Sequence, residues 1–161
     1  MKINEVRKIT ENGWKPAETS EFSVKEYEGK IENVMSEVPS FTLITLNDNG
    51  MPEARAMSLK ACDGIKRVWF ATHRSSEHAA KIMKDPRVTI FFNSISANES
   101  LMLSGPVHVE YDRENMKKCW REFYKTIFPK GFDDPEYLPL RIEPDSGYYS
   151  YGGVKIKFSV E

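Results

Sequence analysis

From Ser23 to Val38 the apolar residues Val24, Tyr27, Ile31, Val34, Met35 and Val38 return at the spacing of one helix face. Ser23 with Glu26 three residues on predicts a capped start, and Pro39 closes the element. Beyond Pro39 the pattern changes to strands. Phe41–Leu46 leads into Asn47-Asp48-Asn49-Gly50, a tight turn rich in residues that tolerate positive φ. A second strand is predicted from Glu53 to Ala61 and a third from Arg67 to Thr72, with a turn at Asp63-Gly64 between them. Ser75 or Ser76 is predicted to cap a short helix through Met83, with Ala79, Ala80, Ile82 and Met83 as its apolar face. Asp85-Pro86 ends that helix, because proline disfavours α conformation in the residue before it.

Arg87–Asn93 and the long run Glu99–Tyr111 predict two more strands, the second with a bulge or bend at Gly105-Pro106. Asp112 is predicted to cap a third helix through Ile127 that turns Met116, Trp120, Phe123 and Ile127 inward. Leu138–Ile142 and Val154–Val160 read as closing strands. Residues 1–22 are polar and aperiodic apart from Trp14, which predicts a loose arm ahead of one domain, 23–161. Short strands joined by hairpin turns exclude a doubly wound parallel sheet. A mainly β fold with flanking helices, built as an antiparallel barrel, is the economical alternative, because closure removes exposed edges.

Length and composition set outer bounds. A chain of 161 residues is one domain's worth, with enough material for a core. The net charge of −1 gives no electrostatic reason to expect nucleic acid. No run approaches the ~20 apolar residues of a membrane span, and the charged N-terminus has no apolar signal core. Cys62 and Cys119 lie far apart, and His73, His78 and His108 are scattered, so no metal site is expected. Two thiols without a scaffold pattern suit a reducing, cytoplasmic setting.

The chemistry concentrates between Arg55 and Ser76. Arg55 and Lys60 are five apart on a predicted strand, followed by Trp69-Phe70-Ala71-Thr72, then Ser75-Ser76 and a helix start. Cations, hydroxyls and a helix N-terminus together suit a phosphate monoester. On a flat strand, however, Arg55 and Lys60 face opposite ways, and one ligand reaches both only after a bulge or strong twist. On spacing alone the solvated charges of an exposed strand are the better fit.

The stretch Arg55–Phe92 resembles the flavin-binding core of the pyridoxamine 5'-phosphate oxidase-like family, the FMN-binding split barrels. The resemblance rests on Arg55-Ala-Met-Ser-Leu-Lys60, Trp69–Thr72, Ser75-Ser76, Asp85-Pro86-Arg87-Val88 and Ser100-Leu-Met-Leu-Ser-Gly105. Phe128-Pro-Lys-Gly131, Asp133-Asp-Pro135 and Arg141-Ile-Glu-Pro144 extend it toward the short, general stress protein 26-like members. It implies a six-stranded antiparallel split β-barrel, FMN as cofactor and a homodimer. By the same resemblance Arg55, Lys60, Ser75 and Ser76 serve the phosphate, with His78 beside them. Met57 and Ser58 lie along the ring, and Ala71 and Thr72 meet the cofactor at a strand end. Ser100 stands where family members often carry a glutamine that reaches the flavin from the partner subunit. Tyr149 stands where a flavin-contacting tryptophan is common.

Two departures shape the functional expectation. The oxidases carry Arg-Lys where this chain has Glu77-His78, and a carboxylate beside a phosphate dianion is unfavourable. Their terminal strand holds an arginine and a histidine for pyridoxamine phosphate, whereas here it holds Lys155 and Lys157, so that substrate is disfavoured. The resulting expectation is an FMN-dependent oxidoreductase, with NAD(P)H a possible electron donor and no protein acid–base dyad in evidence. The alternative is a flavin-binding stress or sensor protein without turnover. Haem or a deazaflavin would keep the fold but change the ligand, with His73 or His108 as poor axial candidates.

Overall fold

The computed structural model describes residues 1–161. The first helix, α1 (Val24–Glu37), buries Tyr27, Ile31, Val34 and Met35. Ser23 Oγ accepts the Glu26 N–H as expected, while the Glu26 carboxylate turns to Lys30 at 2.8 Å. Helix α2 spans Glu77–Lys84 and α3 Arg113–Cys119. The strands are β1 (Lys2–Thr10), β2 (Gly13–Ala17), β3 (Ser40–Leu46), β4 (Pro52–Ser58), β5 (Ala61–Asp63) and β6 (Arg67–His73). They continue as β7 (Arg87–Ser94), β8 (Glu99–Val109), β9 (Tyr137–Ile142), β10 (Ser146–Tyr151) and β11 (Val154–Ser159).

Every pairing is antiparallel, along the path β2-β1-β11-β10-β8-β7-β3-β4, with β5-β6-β9 joining it through β8. This is the expected split-barrel class, with eleven strands in place of six. Inner faces alternate regularly: Phe41 and Leu43, Val88, Ile90 and Phe92, Leu101 and Leu103, and Ile156 and Phe158 are all buried. Lys155 and Lys157 take the exposed face of β11, as its alternation predicts.

Four local expectations change. Residues 1–22 are no loose arm: β1 and β2 form a hairpin, and β1 covers the edge of β11 from Lys2↔Ser159 to Lys8↔Val154. Its polar sequence concealed it because only Val6 is buried there. The predicted strand Glu53–Ala61 is two strands, since Leu59 N–H donates to Pro39 C=O while Lys60 N–H donates to Trp69 C=O. The chain thus changes sheets at that step. The third helix stops at Cys119, because Arg121 captures the carbonyls of Lys118 and Trp120, each at 2.8 Å, and of Lys60 at 3.1 Å. A 3-10 turn (Glu122–Thr126) follows, leaving Phe123 and Ile127 exposed and giving the inner positions to Cys119 and Phe128. On α2 only Ala79 and Ile82 are buried, and Ala80 and Met83 face out.

A second, smaller core of Trp69, Cys119, Phe128 and Tyr137 joins β6, β9 and α3. Beside it lies Glu110, 3% exposed. Its carboxylate accepts from Trp69 Nε1 at 2.8 Å, Arg141 at 3.0 Å, Asp112 N–H at 3.0 Å and Asn115 at 3.3 Å. Burial alone raises this carboxyl, but the bonds from Trp69, Asp112 N–H and Arg141 together carry it below its ordinary value of 4.5.

Glu110→Ala should therefore cost about 3 kcal/mol in urea unfolding, because it leaves the Trp69 and Asp112 N–H donors without an acceptor and Arg141 with Glu143 as its remaining carboxylate. The wild-type carboxylate contributes stability above its unfolded-state pKa, and that contribution is lost as pH falls through the depressed folded value. The gap between wild type and variant should hence narrow below about pH 4. A gap independent of pH would show that the carboxylate charge is not what holds these elements together.

Candidate functional site

β4 is the last strand on the sheet path and pairs only with β3, so one of its backbone edges stays open. Along it Glu53, Arg55 and Met57 are half-buried on the inner face, and Ala54, Ala56 and Ser58 are exposed on the outer one. Met57 packs against the main core. Glu53 joins the inner face to α2: it pairs with Arg55 at 3.3 Å and with Lys81, and Asn47 donates to it at 3.3 Å. The hydrogen bond from Lys81, followed by that from Asn47, holds the Glu53 carboxyl below the usual carboxylate range. Neither Glu53 nor Lys81 is marked by linear spacing, since 28 residues separate them.

Across from this edge β6 ends and α2 begins. Thr72 Oγ1 lies 2.6 Å from His78 Nε2 and 3.4 Å from Ser76 Oγ, and Ser76 Oγ is 3.4 Å from the same imidazole nitrogen. Ser76 is the helix cap, its Oγ accepting from Ala79 N–H at 3.3 Å. The first-turn amides of a helix lack intrahelical acceptors and favour an anion. Thr72, Ser76 and His78 thus form one hydrogen-bonded cluster at the start of α2. Glu77 is exposed and points its charge to solvent.

The remaining candidates scatter. Lys60 places its ammonium 5.1 Å from the Tyr124 ring centroid, on the side of the smaller core, while Arg55 faces Glu53. Ala71 packs against the smaller core. Ser75 turns away from Ser76: its Oγ meets His73 Nδ1 at 2.9 Å, and its N–H donates to Glu136 at 3.2 Å. Ser100 is half-buried on the outer face between Asn93 and Ser150, in a recess of about 240 Å³ walled by Trp14. Tyr149 is 0% exposed and stacks on Tyr151 within the subunit core, at 5.4 Å between ring centroids, so it cannot wall an open slot. His73 and His108 each lie against a carboxylate, Glu136 at 3.0 Å and Glu143 at 3.5 Å.

The donor set fits a terminal phosphate beside a flat group. Three polar side chains and a helix start converge at one end, and an open strand edge with a half-buried methionine runs away from it. No helix is long and apolar enough to cross a membrane.

A family model described as Pyridoxamine 5'-phosphate oxidase like matches residues 26–160. Among solved structures, a protein from Clostridium acetobutylicum related to general stress protein 26 superposes with a TM-score of 0.75 at 23% identity. That match covers 86% of this chain and 97% of that one. A heme binding protein from Mycobacterium smegmatis gives 0.67 at 15% identity, over 82% of this chain and 57% of the other. A pyridoxamine 5'-phosphate oxidase-related, FMN binding protein from Nostoc punctiforme gives 0.60 at 13%, over 85% and 89%. No curated protein matches the chain in sequence.

Ser76→Ala should lower stability by about 0.5–2 kcal/mol through loss of the cap, measured by chemical denaturation. It should also leave Thr72 and His78 without their shared hydroxyl. An unchanged midpoint would mean that the cap adds nothing to the hold of Ala79, Ile82 and the Glu53–Lys81 pair on α2.

Proposed function

The chain belongs to the pyridoxamine 5'-phosphate oxidase-like family, and we propose that it binds FMN between the open edge of β4 and the start of α2. The observation that carries this reading is the cluster of Thr72, Ser76 and His78 at a helix N-terminus beside the edge strand that bears Arg55. In this reading Arg55, Ser76 and the first amides of α2 hold the phosphate, and Thr72 fixes the His78 ring. Met57 and Ser58 offer backbone groups along the ring. Lys60 leaves the Tyr124 face to meet the phosphate. Ser75 and Tyr149 drop out of the ligand set, because the first is held by Glu136 and the second is buried in the core.

Bound FMN supplies reversible electron and hydride transfer, and the chain supplies placement and electrostatic field. We accordingly propose an FMN-dependent oxidoreductase in a reducing, cytoplasmic setting, where Cys62 and Cys119 remain free thiols. We further propose a homodimer through the outer sheet face, where Ile44, Phe91 and Met102 are half-buried on adjacent strands. Leu101, Leu103 and Tyr149 contribute nothing to such an interface, being fully buried inward. Ser100 lies on this same face, so a second subunit would meet it there.

FMN should bind more tightly than riboflavin, and Arg55→Ala and Lys60→Ala should each weaken FMN by about 1.5–3 kcal/mol, the range of a hydrogen bond to a charged group. Fluorescence titration measures both. Equal affinity for the two flavins would remove the phosphate cradle, and an unchanged Lys60→Ala would return that lysine to the surface. The absorption spectrum of the purified protein decides the ligand, since a Soret band in place of flavin bands would overturn FMN for haem. Light scattering should give a dimer mass, consistent with an interface above ~1,000 Å². A monomer that retains FMN would refute the dimer alone.

A further inference from the structure

We propose that Arg7, Lys155 and Lys157 form a second oxyanion site, which takes the dianionic phosphate group of a small phosphate or phosphate monoester. The three cations project from neighbouring strands on one face. Arg7 pairs in register with Lys155, and Lys157 lies between Glu5 on β1 and Tyr148 on β10. Together these five residues line a recess of about 210 Å³.

Three features mark this recess. Neither lysine has a carboxylate within 4.0 Å, so Glu5, which reaches Arg7, is the one acidic group lining it. Arg7 reaches only Glu5, at 3.9 Å, and the Trp14 carbonyl, at 3.4 Å. Both ammoniums sit over the same Tyr148 ring, 5.3 and 5.7 Å from its centroid. The ring face attracts both and holds like charges together that would otherwise repel. Three positive groups against one carboxylate leave two uncompensated charges at the recess, in a chain whose net charge is −1.

A dianion neutralises that excess. A guanidinium offers two parallel donors to a phosphate, and the lysines act as point charges beside it. The recess shares no residue and no strand with the proposed FMN cradle, which is built from β4, the end of β6 and the start of α2. Arg7 also lies outside the stretch matched by the family model, so the hairpin β1–β2 adds a group that the matched stretch lacks. The inference therefore does not rest on the flavin reading.

Isothermal titration of inorganic phosphate and of phenyl phosphate into the full chain saturated with FMN, so that the proposed cradle is already filled, at fixed chloride, tests it. Wild type should bind one equivalent. Arg7→Gln and the double change Lys155→Gln with Lys157→Gln should each weaken binding by about tenfold or more. Lys157→Arg should retain it, and so should Lys66→Gln, which removes an exposed lysine outside the recess. All three cationic side chains are exposed, so thermal unfolding midpoints should not move, which separates lost binding from lost fold. Tighter binding of phenyl phosphate identifies a monoester as the ligand, and equal binding identifies free phosphate. Either supports the site. No saturable binding of either probe, or binding unchanged in the Arg7 and lysine variants, overturns it.

Discussion

One strand belongs to both halves of the barrel, and the rest of the fold follows from how it crosses between them. The first part of β8 pairs with β7 and β10, and the part after Gly105-Pro106 pairs with β9. At the crossing a Cβ on Gly105 would stand 2.3 Å from Glu143 O and 2.7 Å from Pro144 Cα. Backbone is the obstacle there, and it has no room to yield, so the position requires glycine. Pro106 follows where the strand changes partner, and its carbonyl accepts from Glu143 N–H at 3.0 Å. With β9 placed, β6 is placed along its length, from Val68↔Ile142 to His73↔Tyr137. The end of β6 delivers Thr72, and α2 starts within one turn of it. The proposed cofactor site is thus located by a steric constraint more than thirty residues further along the chain. Glu110 reinforces the same arrangement, since its bonds reach β6, β9 and the start of α3.

The two groups of cations are balanced in opposite ways. On the inner face of β4, Arg55 and Lys81 share the Glu53 carboxylate, so this open edge carries its own counter-ion. Charged side chains turned inward on an edge strand also oppose pairing with another sheet edge. In the proposed FMN site an arriving phosphate would have to displace or rearrange Glu53. On β11 the lysines have no such partner. An edge that is neutralised from within and a recess that is not make different demands on a ligand, although both are rich in cations.

Much of the fold was legible because local chemistry and tertiary structure agree. Ser23, Ser76 and Asp112 cap the helices that their spacing implies, and Gly50 takes the positive φ of 76° that its turn needs. Where the reading failed, a distant partner decided. Residues 1–22 looked structureless because an edge hairpin with a single buried side chain has almost no apolar alternation. The end of α3 was invisible because Arg121, which stops it, also reaches the Lys60 carbonyl across 61 residues. Lys60 reads as a partner for Arg55 from its position in one motif, and here its ammonium meets the Tyr124 ring while Arg55 pairs with Glu53. The cluster of Thr72, Ser76 and His78 was readable because a strand end and a helix cap fall within seven residues.

Tyr148 and Tyr149 show how one register serves both the core and the surface. They are neighbours in sequence on β10, and strand alternation sends them to opposite faces. Tyr149 is fully enclosed beside Tyr27 and Tyr151, while Tyr148 meets Lys155 and Lys157. A slip of one residue would put a lysine-bearing face into the core and the core aromatics into solvent, so the burial of Ile156 and Phe158 on β11 enforces the surface arrangement as well. The basic recess needs no folding determinant of its own. The apolar residues behind it hold the cations in place, and β1, whose Val6 anchors it to the same core, brings Arg7 into line with Lys155.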